Sequence, residues 1–208
     1  MLSTLALLAI TFAPTVDSVP NRQPQLAAQG NLVALTYGAG DSIHFSLSSN
    51  NGSTWSKTTV VANKGKLALG ARRGPRIVIT QNSIVITAIV GEIGRGKDEN
   101  LAMWRSVDQG NTWSEQRVLN DVPASAREGL HAMASDGEGT VFVAWLDLRN
   151  KGTELYGVVS RDGGKSWSDN RLIYRSPSGS VCECCHPSVY VEENGKIWVM
   201  FRTSLDGN

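Results

Sequence analysis

The sequence predicts an all-β protein built from repeated four-stranded blades, a β-propeller. Two observations carry this expectation. One short pattern ending in tryptophan occurs three times. Around each copy, short β-branched and aromatic runs recur in the same order, and no stretch after the N-terminal leader shows a helical period.

The repeated pattern reads Ser48-Ser49-Asn50-Asn51-Gly52-Ser53-Thr54-Trp55, Ser106-Val107-Asp108-Gln109-Gly110-Asn111-Thr112-Trp113 and Ser160-Arg161-Asp162-Gly163-Gly164-Lys165-Ser166-Trp167. Its shared form is Ser-x-Asp/Asn-x-Gly-x-Thr/Ser-Trp, followed each time by another Ser. Such residues suit a structured hairpin turn. Asp, Asn and Ser accept hydrogen bonds from nearby backbone N–H groups, and Gly permits positive φ. Trp wedges apolar surface between strands while keeping one donor to satisfy.

The strand-like runs follow the repeats. Blade one has residues 32–37, 43–48 and 58–61. Blade two has 76–79, 84–89, 101–106 and 117–119. Blade three has 140–145, after the turn Asp136-Gly137-Glu138-Gly139, then 154–160 and 171–174. A fourth blade starts at 187–191 and continues through Glu193-Asn194-Gly195 into 196–201. These runs lie between Gly, Asn and Asp turns, as antiparallel strands do. The total is about three and a half blades, where closed propellers have roughly 4–8. An open array exposes strand edges and apolar faces. The expectation is therefore an N-terminal part whose remaining blades come from a missing C-terminal part, with a self-completing dimer as the alternative.

Composition narrows the function classes. With 41% hydrophobic residues the chain is globular, and a net charge of +1 gives no case for nucleic acid or a polybasic membrane contact. Residues 2–12 are apolar, uncharged and too short to span a bilayer. Ala13-Pro14-Thr15-Val16-Asp17-Ser18 follows. Residues 1–20 are thus expected to be a signal peptide, leaving 21–208 as the mature partial propeller with no membrane span. The leader lacks Lys and Arg, so an uncleaved anchor is the alternative. Export (periplasmic, cell-surface or secreted) places the chain in an oxidising compartment.

The turn pattern resembles the Asp box, or bacterial neuraminidase repeat. The region from about residue 25 to 208 resembles the sialidase superfamily of six-bladed propellers. The resemblance makes Ser48, Asn50, Gly52 and Trp55, Ser106, Asp108, Gly110 and Trp113, and Ser160, Asp162, Gly164 and Trp167 structural residues. The first copy departs from the pattern by Asn50 in place of Asp. It also implies that these turns face away from the active site, so chemistry belongs to the loops at the other end. There Gly74-Pro75-Arg76-Ile77-Val78 resembles the sialidase Arg-Ile-Pro motif, with Val78 where the family has Pro. The spacing onward to Arg95 and Asp98 is also similar. By resemblance, Arg76 and Arg95 bind the substrate carboxylate and Asp98 is the catalytic acid/base. Guanidinium grips a carboxylate in a planar, bidentate way, and a carboxyl group protonates the departing glycosidic oxygen. The Tyr nucleophile of such enzymes belongs to later blades. Plain structural roles compete: Arg76 as a strand-end ion pair and Asp98 as one solvated charge of Arg95-Gly96-Lys97-Asp98-Glu99. Asp147 and Arg149 are expected to form an inter-blade ion pair.

All three cysteines fall in Cys182-Glu183-Cys184-Cys185-His186-Pro187, the link entering blade four. Three readings are open. A local disulfide plus one thiol, or pairing with a cysteine of the missing C-terminal part, fits an exported chain. Cys182, Cys184, Cys185 and His186 are ligand types for a soft metal, Cu or Zn. Cys182-x-x-Cys185-His186 also matches c-type haem attachment. The remaining histidines, His44 and His131, are expected to be satisfied strand residues. Two functions follow. One is an exported exo-glycosidase hydrolysing terminal sialic acids, requiring no cofactor and taking a sialoside substrate. The other is a non-catalytic propeller binding carbohydrate or protein, or metal through the Cys-rich link.

Overall fold

A computed structural model describes residues 19–177 and 179–203. The expected signal peptide lies almost wholly outside the described residues. Blade one is β1 (Asn21–Gln29), β2 (Leu32–Ala39), β3 (Ser42–Ser48) and β4 (Thr59–Ala62), antiparallel in that order. Blade two is β6 (Arg76–Thr80), β7 (Ser83–Gly91), β8 (Asn100–Ser106) and β9 (Arg117–Val118). The short β5 (Lys66–Leu67) adds to the end of β7, pairing Lys66 with Gly91. Blade three is β10 (His131–Ser135), β11 (Val141–Asp147), β12 (Glu154–Ser160) and β13 (Arg171–Tyr174). β14 (Ser188–Val191) and β15 (Ile197–Met200) form the two-stranded start of blade four.

The first strands of the blades are neighbours: β1 packs on β6, β6 on β10, and β10 on β14. That is the radial arrangement of a propeller, with the first strands around the axis. β1 carries no sequence signal of its own. It reads Asn21-Arg22-Gln23-Pro24-Gln25, and its register slips between Arg22 and Gln25. Pro24 falls in that irregularity, where a missing N–H is tolerated.

Each blade interface is one apolar cluster. Ala34, Ile43 and Phe45 of blade one meet Ile77, Ile79, Ile86 and Trp104 of blade two. Val78, Val85, Ile89 and Met103 on the other face of blade two meet Val141, Val143, Trp145 and Val158 of blade three. Phe142, Ala144, Leu146 and Leu155 then meet Val189, Val191, Ile197 and Val199 of blade four. Alternate residues of one strand serve opposite interfaces, as the two-residue side-chain period requires.

The three Asp boxes join the third strand of a blade to the fourth and share one hydrogen-bond pattern. The box serine donates to the Asp or Asn Oδ1 and accepts from the glycine N–H at 2.8 Å, in Ser48–Gly52, Ser106–Gly110 and Ser160–Gly164 alike. Oδ1 also accepts from the N–H of Thr54, Thr112 or Ser166 at 2.8–2.9 Å. The serine after each Trp closes the turn by accepting from the N–H of Leu47, Arg105 or Val159. Hydroxyl and N–H donation from Thr112, joined by Ser106, holds the Asp108 carboxyl down at about 2. For Asp162, burial opposes the shift, but hydrogen bonds from Ser166 and Ser160 bring it to about 2.

The box glycines also set how closely blades approach. Gly110 has φ 85° and Gly164 φ 83°. A Cβ on Gly110 would lie 2.1 Å from Cε1 of Phe45 in blade one, and one on Gly164 would lie 2.8 Å from Cγ2 of Val85 in blade two. Gly52 has a similar φ of 82° but meets only its own Trp55, at 3.9 Å. Gly110→Ala is therefore expected to cost about 1–3 kcal/mol more than Gly52→Ala, because overpacking adds to the shared left-handed strain. Thermal denaturation of the two variants checks this, with equal losses counting against it.

The boxes also predict an acid sensitivity. A carboxyl whose folded pKa is depressed stabilises the fold above its unfolded value and loses that contribution as pH falls through the folded value. For Asp108 the window runs from about 4 down to about 2. Asn50 shows that an amide fills the same turn without titrating. Asp108→Asn is expected to flatten the fall in Tm between pH 4 and 2, measured against wild type.

Candidate functional site

The Asp boxes lie at one end of the blades, and the links between blades gather at the other with the loops joining second and third strands. Val181 N–H donates to Thr153 O at 2.7 Å, and Arg73 Nε donates to Glu128 O at 2.7 Å. These contacts draw the blade-entry links and the loop after β11 together.

Arg76 opens β6 and is buried. Its Nη1 donates to the carbonyls of Gly74 and Pro75, and its Nη2 to Arg72 O at 2.7 Å. Nη2 is also 2.7 Å from His186 Nε2. Among the described residues no carboxylate pairs with Arg76, and burial lowers its pKa to about 10. The plain reading of Arg76 as an ion-paired strand end is thus corrected. Beside it, His131 opens β10 and is fully buried. Its Nε2 meets Thr87 Oγ1 at 3.0 Å, but its Nδ1 has no hydrogen-bond partner among the described residues. Burial, then the charges of Arg76 and His186, keep this imidazole neutral. His131 is not the satisfied strand residue that the sequence suggested. His44 is buried and stacked on Tyr37, and burial lowers its pKa.

Arg95 is placed elsewhere. With Arg73, Arg127, Glu99 and Glu128 it lines a cavity of about 400 Å³ between blades two and three. Arg76 does not line it. Arg95 and Gly96 turn in the left-handed region, at φ 61° and 78°. Glu99 is tied to main chain, accepting from the N–H groups of Gly96 and Asp98. Burial raises the Glu128 pKa, as does the charge of Glu183.

Asp98 does not join these arginines. Its carboxylate accepts from the N–H groups of Glu92, Ile93 and Gly94 at 2.8–2.9 Å and clamps its own loop. The Ile93 and Gly94 bonds are the largest causes of a lowered pKa. It borders a different cavity, with Lys64, Glu92, Asn100 and Gln116. Bonds to the charged form disfavour a proton that a general acid must carry. The geometry gives Asp98 the task of a loop clamp.

The expected pair of Asp147 and Arg149 forms within blade three, and Arg149 extends it to the link from blade two. Arg149 grips Asp147, two residues away, with Nε and Nη2 at 2.9 and 3.0 Å. Arg149 also bonds Asp121 in the link between blades two and three and lies 3.7 Å over the Tyr156 ring. Asp147 further accepts from Trp145 Nε1 and Ser125 Oγ. These charges serve the scaffold.

The three cysteines are free thiols, and their sulfurs form one cluster. Sγ separations are 3.0 Å for Cys182–Cys185, 3.2 Å for Cys182–Cys184 and 3.9 Å for Cys184–Cys185. Hydrogen bonds from Cys185 and Cys184 bring the Cys182 thiol down to about 7, and the Cys184 thiol is raised by the same partnership. His186 does not belong to this set, because its Nε2 faces Arg76. That engagement also fits poorly with haem, whose iron takes the histidine nitrogen as ligand. The contact between Arg76 and His186 joins two sites that the sequence separates by 110 positions. No local pattern signals it.

Residues 27–208 match the family model described as BNR repeat-like domain. A comparison with curated protein sequences returns no match. Among solved structures, the Hadza microbial sialidase Hz136 is 14% identical with a TM-score of 0.53, over 86% of this chain and 39% of its own. The NanB sialidase from Streptococcus pneumoniae is 18% identical with a TM-score of 0.56, over 86% of this chain and 26% of its own. A protein of unknown function from Dyadobacter fermentans is 15% identical with a TM-score of 0.59, over 90% of this chain and 66% of its own. The chain thus spans less than two thirds of each. At these identities the likeness shows the fold.

If Asp98 is the loop clamp, Asp98→Ala frees three amides. Hydrogen exchange at Glu92, Ile93 and Gly94 is then expected to rise at least about tenfold, because each amide loses its carboxylate acceptor. Unchanged protection would count against the clamp.

Proposed function

The chain belongs to the BNR repeat-like domain family, and from that premise we propose that its link face recognises an acidic sugar, such as a terminal sialic acid. One observation carries the reading. Three guanidiniums, Arg73, Arg95 and Arg127, surround a cavity of about 400 Å³, and one of the two carboxylates there, Glu99, is already bonded to main chain. A volume in the range of roughly 300–1,000 Å³ suits a small ligand, and arginine matches a carboxylate in two parallel bonds. Arg76, a buried cation without a carboxylate partner among the described residues, adds to the positive character of the same end.

The sialidases among the solved relatives motivate the choice of ligand. Export fits a glycan ligand outside the cell. Hydrolysis is the less favoured reading, because Asp98 is clamped and opens onto another cavity. The other carboxyl at the cavity is Glu128, which stands 4.0 Å from Arg73 and whose pKa burial raises. The favoured function is recognition.

Calorimetric titration with sialyllactose tests the proposal. Arg95→Ala and Arg73→Ala are each expected to weaken binding about 10- to 100-fold, the loss of a charged hydrogen-bonded contact. Asp98→Ala is expected to leave the affinity within threefold. Absence of binding by wild type, or equal affinity in all three variants, would overturn the reading. Turnover of a fluorogenic sialoside that disappears in Asp98→Ala would restore the acid/base role to that residue.

A further inference from the structure

We infer that Cys182, Cys184 and Cys185 form an all-sulfur, three-coordinate site for a soft monovalent cation, Cu(I). The site is distinct from the arginine-lined cavity and stands independently of its ligand.

Backbone contacts build the cluster. Val181 is fully buried, donates its N–H to Thr153 O at 2.7 Å and pairs with Thr203. Cys182 N–H donates to Arg202 O at 3.1 Å, and Cys185 N–H returns to Cys182 O at 3.3 Å. The turn so formed points three sulfurs at one another, all within 4.8 Å. Cys184 is exposed, which leaves a path for an ion.

The neighbours decide the chemistry. His186 Nε2 is engaged by Arg76. The Glu183 carboxylate is turned to the hydroxyls of Thr153 and Ser180. Hard and borderline ligands are therefore directed elsewhere, and three sulfurs remain. Soft thiolates suit both Zn and Cu(I), but structural zinc is almost always bound by four ligands, and a set of three sulfurs suits the lower coordination number of Cu(I). Metal–sulfur bonds of about 2.3 Å place the sulfurs about 3.8–4.0 Å apart. The Cys184–Cys185 edge is already 3.9 Å. The other two, at 3.2 and 3.0 Å, open by less than about 1 Å as the ion enters and the thiols release their protons.

The test is an anaerobic titration of the reduced protein with Cu(I) against a colorimetric Cu(I) chelator. One copper per chain is expected to be retained. Cys182→Ser and Cys184→Ser are each expected to lose at least about 100-fold in affinity, while His186→Ala stays within threefold. Independently of any effect of substitution on folding, the wild type provides a second measurement: Cu(I) is expected to protect all three thiols from iodoacetamide. Complete loss of copper to the chelator, or alkylation at the same rate with and without copper, would overturn the site. Tighter binding of Zn(II), with His186→Ala weakening it, would overturn its three-sulfur, monovalent character.

Discussion

Every part of this structure depends on sheets that are apolar on both faces. In blade two, β6 is buried along its whole length and β7 along all but its last residue. A sheet of that kind has no face for water, so it is stable only between two others. Fully burying one Val, Ile or Leu contributes about 1.5–3 kcal/mol, and each interface here gathers about a dozen apolar side chains. That stabilisation fixes the spacing of the blades. The box glycines follow from it, because Phe45 and Val85 stand where a side chain at 110 or 164 would have to go.

Once the blades are fixed, polar groups at the link end must be satisfied within narrow gaps. Much of the charge there serves this need. Asp147 is fully buried and accepts bonds from Trp145, Ser125 and Arg149. Asp98 and Glu99 take up five N–H groups of their own loop between them. The charges left over are the informative ones. Among the described residues Arg76 has carbonyls and an imidazole but no carboxylate partner, and His131 Nδ1 beside it has no hydrogen-bond partner. At the neighbouring cavity Arg73 is paired with Glu128, while Arg95 and Arg127 line the same space.

This division explains what the sequence reveals. The period-two runs and the boxes make blade two legible almost strand for strand and blade three in its last three strands, though not in β10, because local turn chemistry and packing there agree. β12 and β13 match the expected runs end to end. β1 leaves no strand pattern in the sequence because its residues are largely polar and interrupted by Pro24; it is a strand by virtue of β2 beside it. The site was less legible. The spacing of Arg76, Arg95 and Asp98 suggested one constellation, yet loop geometry sends the three to three surroundings. Asp98 shows why: its partners are backbone N–H groups, which leave no mark in a sequence.

The fourth blade shows the same constraint half met. Val189, Val191, Ile197 and Val199 pack against blade three. Across the same two strands, Tyr190, Trp198 and Met200 are 62%, 52% and 72% exposed. These residues alternate with the packed ones, so they form the opposite face of the same sheet. In blades two and three that face is covered by the next blade, with aromatic and aliphatic residues in equivalent contacts. Burying three such side chains is worth several kcal/mol at about 1.5–3 each. Among the described residues that outer face is apolar and uncovered. The link that enters this blade carries the cysteine cluster and holds His186 on Arg76.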